Sequence, residues 1–182
     1  MGSIGPSNLH ELKCYIKRDL GYVGGKPVRS FLGRYLFEAG FKFVFWLRVT
    51  RYLYIKKNAL MWIARAILKH YGYKYQFDIS YRAQIGPDLQ IAHFGYIVVP
   101  SNAVLGEECR LRPGVVIGKK LTEETTGAII GNRVNFGVGS KVIGNVTIGD
   151  NVTIGANAVV TKDIPSNVVI AGVPAKIVRE NV

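Results

Sequence analysis

A period of six residues governs the second half of the chain. Apolar residues stand at Ile79, Ile85, Ile91 and Ile97, then at Leu105, Leu111 and Ile117, then at Ile130, Phe136, Val142, Ile148, Ile154 and Val160. The next residue is glycine at 86, 106, 118, 131, 137, 149 and 155, seven of these 13 places, whereas 21 glycines in 182 residues would put one or two there. The fourth residue on is small or β-branched, as at Ala83, Val115, Val134, Val146, Val152 and Ala158. Six fits neither the 3.6 of a helix nor the 2 of a simple strand face. It is three strand repeats, so each apolar residue points the same way from a short extended segment. Glycine after it lets the backbone turn where a Cβ would clash. Segments of six with a turn at each end stack into a flat-sided coil, the hexapeptide β-helix. An ordinary sandwich repeats every 8–12 residues with variable turns and does not match.

Two breaks interrupt the period. Eight residues separate Ile97 from Leu105, which reads as a two-residue insertion there. The polar stretch 119–128 lies outside the repeat and must leave the coil as a protruding loop. Insertions in solenoids gather on one face, often the binding face, although a neutral surface loop is equally compatible.

The first half reads as helical. Asn8 with Glu11 resembles a capping box, followed by Leu9, Leu12, Ile16 and Leu20. Residues 21–27, with three glycines, read as a loop, and the aromatic and basic stretch 29–72 as two or three helices broken near Gly40 and Asn58. Its apolar residues are too many for one stripe and must be covered by the coil, by sister subunits or by lipid headgroups. A helical cap that simply packs is the preferred reading. The expected organisation is a basic helical region over 1–74 and a β-helix over 75–182.

Charge follows the same division. Residues 1–78 hold 14 basic and 4 acidic side chains, while 79–182 hold 10 and 8. A partner of the front is therefore expected to be anionic, such as a membrane surface or a phosphorylated lipid. No nucleic-acid-binding motif is present, so nucleic acid is not expected as a partner. Cys14 and Cys109 cannot build a disulfide framework and read as packing residues in a reducing compartment. The longest apolar run, residues 59–64, is far too short to span a bilayer. The start has no signal-peptide stretch, and Pro6 breaks the myristoylation pattern. The expected location is the cytoplasm, at most on the inner face of its membrane.

The repeat, together with the run Ile170-Ala171-Gly172-Val173-Pro174-Ala175-Lys176, resembles the left-handed β-helix acyltransferases. The serine acetyltransferase branch matches in step through Phe77-Asp78-Ile79, Ala83-Gln84-Ile85-Gly86, His93 ahead of Ile97-Val98-Val99, Ile143-Gly144-Asn145 and residues 154–160. The short front, with Phe45-Trp46-Leu47-Arg48, looks like the bacterial capsule and exopolysaccharide O-acetyltransferases. The resemblance implies a mainly β chain, a left-handed parallel β-helix behind a small α-helical region. It also implies a homotrimer with acetyl-CoA as donor and active sites shared between neighbouring subunits. The expected activity is acetyl transfer to a sugar hydroxyl of a bacterial surface polysaccharide or its precursor, so a glycan acceptor. The alternative is a serine O-acetyltransferase of cysteine biosynthesis.

Transfer from a thioester to an alcohol needs a base, and imidazole titrates in the right range. Of His10, His70 and His93, only His93 belongs to the repeat, and the resemblance places it on the catalytic histidine. Asp78 falls on the carboxylate that orients it; fifteen residues apart, the two would stack on adjacent coils if they share a face. For the donor, the resemblance implies Gly139, Ala156, Ala171 and Gly172 along the pantetheine arm, with Lys162 and Lys176 near the phosphates. Asp19 loosely matches an amine-binding aspartate. Ala92 stands where these enzymes carry an aspartate, and 125–129 lack their Arg-His pair, which favours a neutral sugar over a zwitterion. One histidine in the coil cannot furnish a three-histidine zinc site, so no metal is expected.

Overall fold

The computed structural model describes residues 4–21, 31–118 and 127–181. These residues form four helices, α1 (Leu9–Leu20), α2 (Phe31–Phe37), α3 (Ala39–Ile55) and α4 (Met61–Tyr75), followed by a parallel β-helix. Asn8 caps α1 by accepting the Glu11 N–H at 2.9 Å. The Glu11 carboxylate accepts from the Ser7 N–H and hydroxyl at 2.7 and 2.8 Å and from the Asn8 side-chain amide at 2.8 Å, so the backbone N–H that closes the capping box is that of Ser7, not Asn8. The first break in the aromatic stretch falls at the extended Glu38, not at Gly40, which lies inside α3. The second falls as expected around Asn58, whose side chain accepts the Leu60 N–H at 2.8 Å.

The coil has three faces. The first holds Phe77–Ile79, Ile97–Val99, Val116–Gly118, Lys141–Ile143 and Val159–Val160. The second holds Gln84–Ile85, Val104–Leu105, Ile129–Ile130 and Thr147–Ile148, and the third holds Gln90–Ile91, Arg110–Leu111, Asn135–Phe136, Thr153–Ile154 and Val168–Ala171. All pairing is parallel until Lys176–Glu180 folds back antiparallel on the last strand. The inward column of the second face is Ile85, Leu105, Ile130 and Ile148, and a single bridge from Ile148 to Ile164 continues it into a fifth, incomplete coil. These side chains are at most 3% exposed up to Ile148, so each complete coil adds three apolar groups to one continuous core. Burial of this kind stabilises by roughly 1.5–3 kcal/mol per large side chain.

Register moves the first break. Ile79 pairs with Val99, not with Ile97, and Ile85 pairs with Leu105. The step of eight therefore runs from Ile91 to Val99, and the two extra residues belong to the corner between the third and first faces. The sequence reading put them one corner later because Ile97 also points inward. Of the loop expected at 119–128, only Gly127 and Ala128 are among the described residues; of that expected at 21–27, only Gly21 is. The glycines after the apolar positions meet a different demand from a positive φ. A Cβ on Gly106 would lie 2.7 Å from the Gly131 carbonyl carbon in the coil above. Left-handed residues stand two positions on, at Asp88, Glu108, Arg133 and Asn151, and Asn167 continues the same stack down one corner. Cys109 is a core residue as expected, whereas Cys14 is exposed on α1.

Candidate functional site

The lengthened corner is Ala92-His93-Phe94-Gly95-Tyr96. Because two residues more than the repeat needs must fit between Ile91 and Val99, the chain bows outward there. His93 is exposed, and Phe94 and Tyr96 are 69% and 61% exposed. The corners above continue one edge of the prism. Gly114 N–H donates to Tyr96 O at 2.7 Å, Gly139 N–H to Pro113 O at 2.8 Å, Asn157 N–H to Val138 O at 2.8 Å and Val159 N–H to Gly172 O at 3.0 Å. His93, Gly139, Ala156, Ala171 and Gly172 thus line a single edge, although they are scattered over 80 residues of sequence. Lys176 joins them through its pairing with Ala171. Lys162 does not; it lies at the next corner, between Val159–Val160 and Ile164.

Beside His93 opens a cavity of about 490 Å³ between the helical front and the coil. Its walls include Asp19, Arg34, Glu38, Ala92 and His93 among apolar groups such as Phe37 and Phe41. The front is pressed close here. A Cβ on Gly40 would collide with the Ile91 carbonyl oxygen, so only glycine lets α3 approach the strand that leads into the His93 corner.

Asp19, expected at an acceptor amine, is 4% exposed and saturated by the chain itself. Arg48 grips both oxygens, with Nε to Oδ2 at 2.8 Å and Nη2 to Oδ1 at 3.1 Å. The backbone N–H groups of Asp88 and Leu89 add 2.8 and 3.1 Å contacts to Oδ1. Arg48 is itself buried and donates to the Ile85 and Gly86 carbonyls, both at 2.7 Å. This staple joins α1, α3 and the first coil; Tyr15 covers it, with its ring 5.0 Å from the guanidinium carbon. A second pair, Arg34 to Glu38 at 2.7 Å, stands in the cavity wall, and Arg34 also donates to the Asp19 and Leu20 carbonyls. The sequence reading missed Arg48, Arg34 and Glu38. Only the i, i+4 spacing of the second pair was visible there.

Asp78 does not stack on His93. It sits on the first face, paired in register with Val98, while His93 stands five residues earlier at the corner. Its side chain is 77% exposed, 3.9 Å from Lys69, in a separate cavity of about 330 Å³ with Arg65 and Arg82. Two neighbouring groups are perturbed. Burial, aided by the Asp19 and Glu108 carboxylates, raises the Asp88 carboxyl above its ordinary value. Burial also pushes the Cys109 thiol up to about 12, which rules it out as a thiolate nucleophile at neutral pH.

Residues 127–162 match the bacterial transferase hexapeptide family (six repeats). The serine acetyltransferase of Helicobacter pylori strain J99 is 33% identical over 130 residues, covering 70% of this chain and 75% of its own. The crystal structure of the Brucella abortus serine acetyltransferase with coenzyme A superposes with a TM-score of 0.79 at 27% identity, over 95% of this chain and 68% of that one. The Neisseria gonorrhoeae serine acetyltransferase with serine gives 0.78 at 26% identity, over 93% and 70%. The chain spans 42%, 61% and 66% of three other serine acetyltransferases, from Synechococcus elongatus and two Buchnera strains. These relatives overturn the expectation of a surface-polysaccharide acceptor, which rested on the short front and on the missing ion-pairing groups at 92 and 125–129. The length of the front carries no information about the acceptor.

Proposed function

The chain belongs to the hexapeptide-repeat acetyltransferase family that includes the serine acetyltransferases, and on that premise we propose that it transfers the acetyl group of acetyl-CoA to the hydroxyl of L-serine. The observation that carries this reading is the edge itself. One bowed corner presents the coil's only histidine among its described residues to a cavity with charged walls, and the small residues Gly139, Ala156, Ala171 and Gly172 rise from it in line. Small side chains suit the slender pantetheine arm of the donor, and Lys176 at the upper end supplies a cation for its phosphates.

In this reading His93 removes the proton from the acceptor hydroxyl as its oxygen attacks the thioester carbon. The new C–O bond replaces the C–S bond, and the proton passes from His93 to the departing thiolate. The exposed Phe94, Tyr96 and Val138 flank His93 along the edge and fit a site closed by a second copy of the chain, as a homotrimer would provide. Asp78, which lines a different cavity from His93 within one chain, would then serve a neighbour's histidine or none. The test is thiol release from acetyl-CoA by the purified chain with L-serine as acceptor. Turnover with L-serine that disappears in His93→Ala supports the reading. No turnover of L-serine at millimolar concentration overturns it.

A further inference from the structure

An acceptor that carries a protonated amine needs a carboxylate partner in a half-buried site, because an ammonium left without one loses several kcal/mol of solvation. Among the described residues, two carboxylates line the His93 cavity, Asp19 and Glu38. Asp19 is excluded by its surroundings. Four N–H contacts fill its oxygens, and Arg48 already balances its charge.

Glu38 differs on each count. Its side chain is 31% exposed, and only one of its oxygens, Oε2, is bound, to Arg34 Nε at 2.7 Å; Oε1 has no hydrogen bond among the described residues. Arg34 is a firm support. Its side chain is 8% exposed, holds the carbonyl end of α1, and lies over the Phe41 ring with the guanidinium carbon 5.2 Å from its centroid. Glu38 sits in the one-residue break between α2 and α3, so its backbone is extended and its direction does not follow either helix. Its distance from the reacting end is set by the close contact of Gly40 with Ile91. Glu38 is two residues before Gly40 in sequence, and His93 is two residues after Ile91.

We propose that Glu38, held by Arg34 in the wall of the His93 cavity, receives the ammonium group of a β-amino alcohol acceptor whose hydroxyl faces His93. The inference rests on the serine reading and assigns to this chain its own amine contact, at a position with no charge-bearing counterpart at Ala92. Glu38 selects the acceptor, while Arg34 positions Glu38.

The experiment compares three acceptors in thiol-release kinetics. L-serine has both charges, ethanolamine keeps the amine alone, and 3-hydroxypropanoate keeps the carboxylate alone. In Glu38→Gln, kcat/KM for L-serine and ethanolamine is expected to fall roughly 10- to 100-fold, as for one lost charge-assisted hydrogen bond, mainly through KM. The value for 3-hydroxypropanoate and the KM for acetyl-CoA should stay within about twofold. A merely structural role for Glu38 would lower all three acceptors together, and that result overturns the proposal. Should Glu38→Gln fail to fold, Glu38→Asp keeps the charge and withdraws it by one methylene; it should shift the same acceptor ratio by a smaller factor. An unchanged ratio in a folded variant overturns the inference while leaving serine acetylation standing. A wild-type chain that acetylates none of the three overturns both.

Discussion

The coil and the helical front spend their sequence on different contacts. In the coil, every turn repeats one slot: an inward apolar side chain, a glycine against the next layer, and a left-handed residue at the corner. No single slot is indispensable to the others, because each layer touches only its neighbours. In the front, α1 and α3 meet the coil through one-off contacts, chiefly the Asp19–Arg48 staple and the fit of Gly40 on Ile91. Around these lies an aromatic cluster of Phe31, Tyr35, Phe41, Phe45 and Trp46, while Leu36, Phe37, Trp62 and Ile63 stay exposed. The coil is robust by repetition and the front depends on a few keystones. The cavity beside His93 needs both, since the coil supplies His93 and the front supplies most of the wall.

The sharpest test of that division is His93→Ala, which removes a coil residue from the chemistry without touching a slot. Acetyl transfer should fall by roughly 10²- to 10⁴-fold with the melting temperature unchanged. A large loss of stability would mean that the bowed corner also holds the coil together. Next in size is Arg48→Met. Leaving Asp19 charged and without its counter-charge in a buried place should cost about 3–5 kcal/mol, concentrated in the front. Hydrogen exchange should show the amides of Asp88, Leu89 and α1 opening while those of Asn135–Phe136 and Thr153–Ile154 stay protected; uniform loss of protection would erase the distinction between the two regions.

Within the coil, Ile148→Val should cost only about 0.5–1.5 kcal/mol in denaturant unfolding, because a repeated slot loses one methylene and its neighbours stay in place. A cost of several kcal/mol would show that the layers are coupled more strongly than a stack. The smallest effect is expected where the two regions touch. The folded chain holds the Asp88 carboxyl above its ordinary 3.8, so it binds that proton more tightly than the unfolded chain. Stability from this group is therefore present below pH 3.8 and drains as pH rises through the raised value. Asp88→Asn should raise stability slightly at neutral pH, with the gain fading as pH falls to 3.8. Asparagine also tolerates the left-handed backbone there, as Asn151 and Asn167 do in the layers above.

The same division explains what could be read before any coordinates. Period six is a property of every layer, so the coil was legible, as was His93 as the one histidine within the repeat. The location of the two-residue step was not, because Ile97 and Val99 are both apolar and both point inward; only pairing with Ile79 tells them apart. Whether Asp78 stacks on His93 could not be read, because spacing along a coil gives the layer but not the face. The staple was invisible, since Asp19 and Arg48 are 29 residues apart in segments without periodicity and meet only through tertiary packing. Glu38 was passed over because a helix break was sought at a glycine, while the chain breaks two residues earlier and uses the glycine for a close approach.

The stacked corners make the edge a measuring device. From the His93 corner, four layers rise to Gly172, about 19 Å at the usual strand spacing. Length along this edge comes in whole layers, so it can be altered only in steps of about 4.8 Å, by adding or removing a full turn of some eighteen residues. On the proposed reading, a donor held at its far end by Lys176 and at its reactive end beside His93 would be gauged by counting turns. Side-chain substitutions along the edge can tune grip, but only a change in the number of turns can change which length of donor fits.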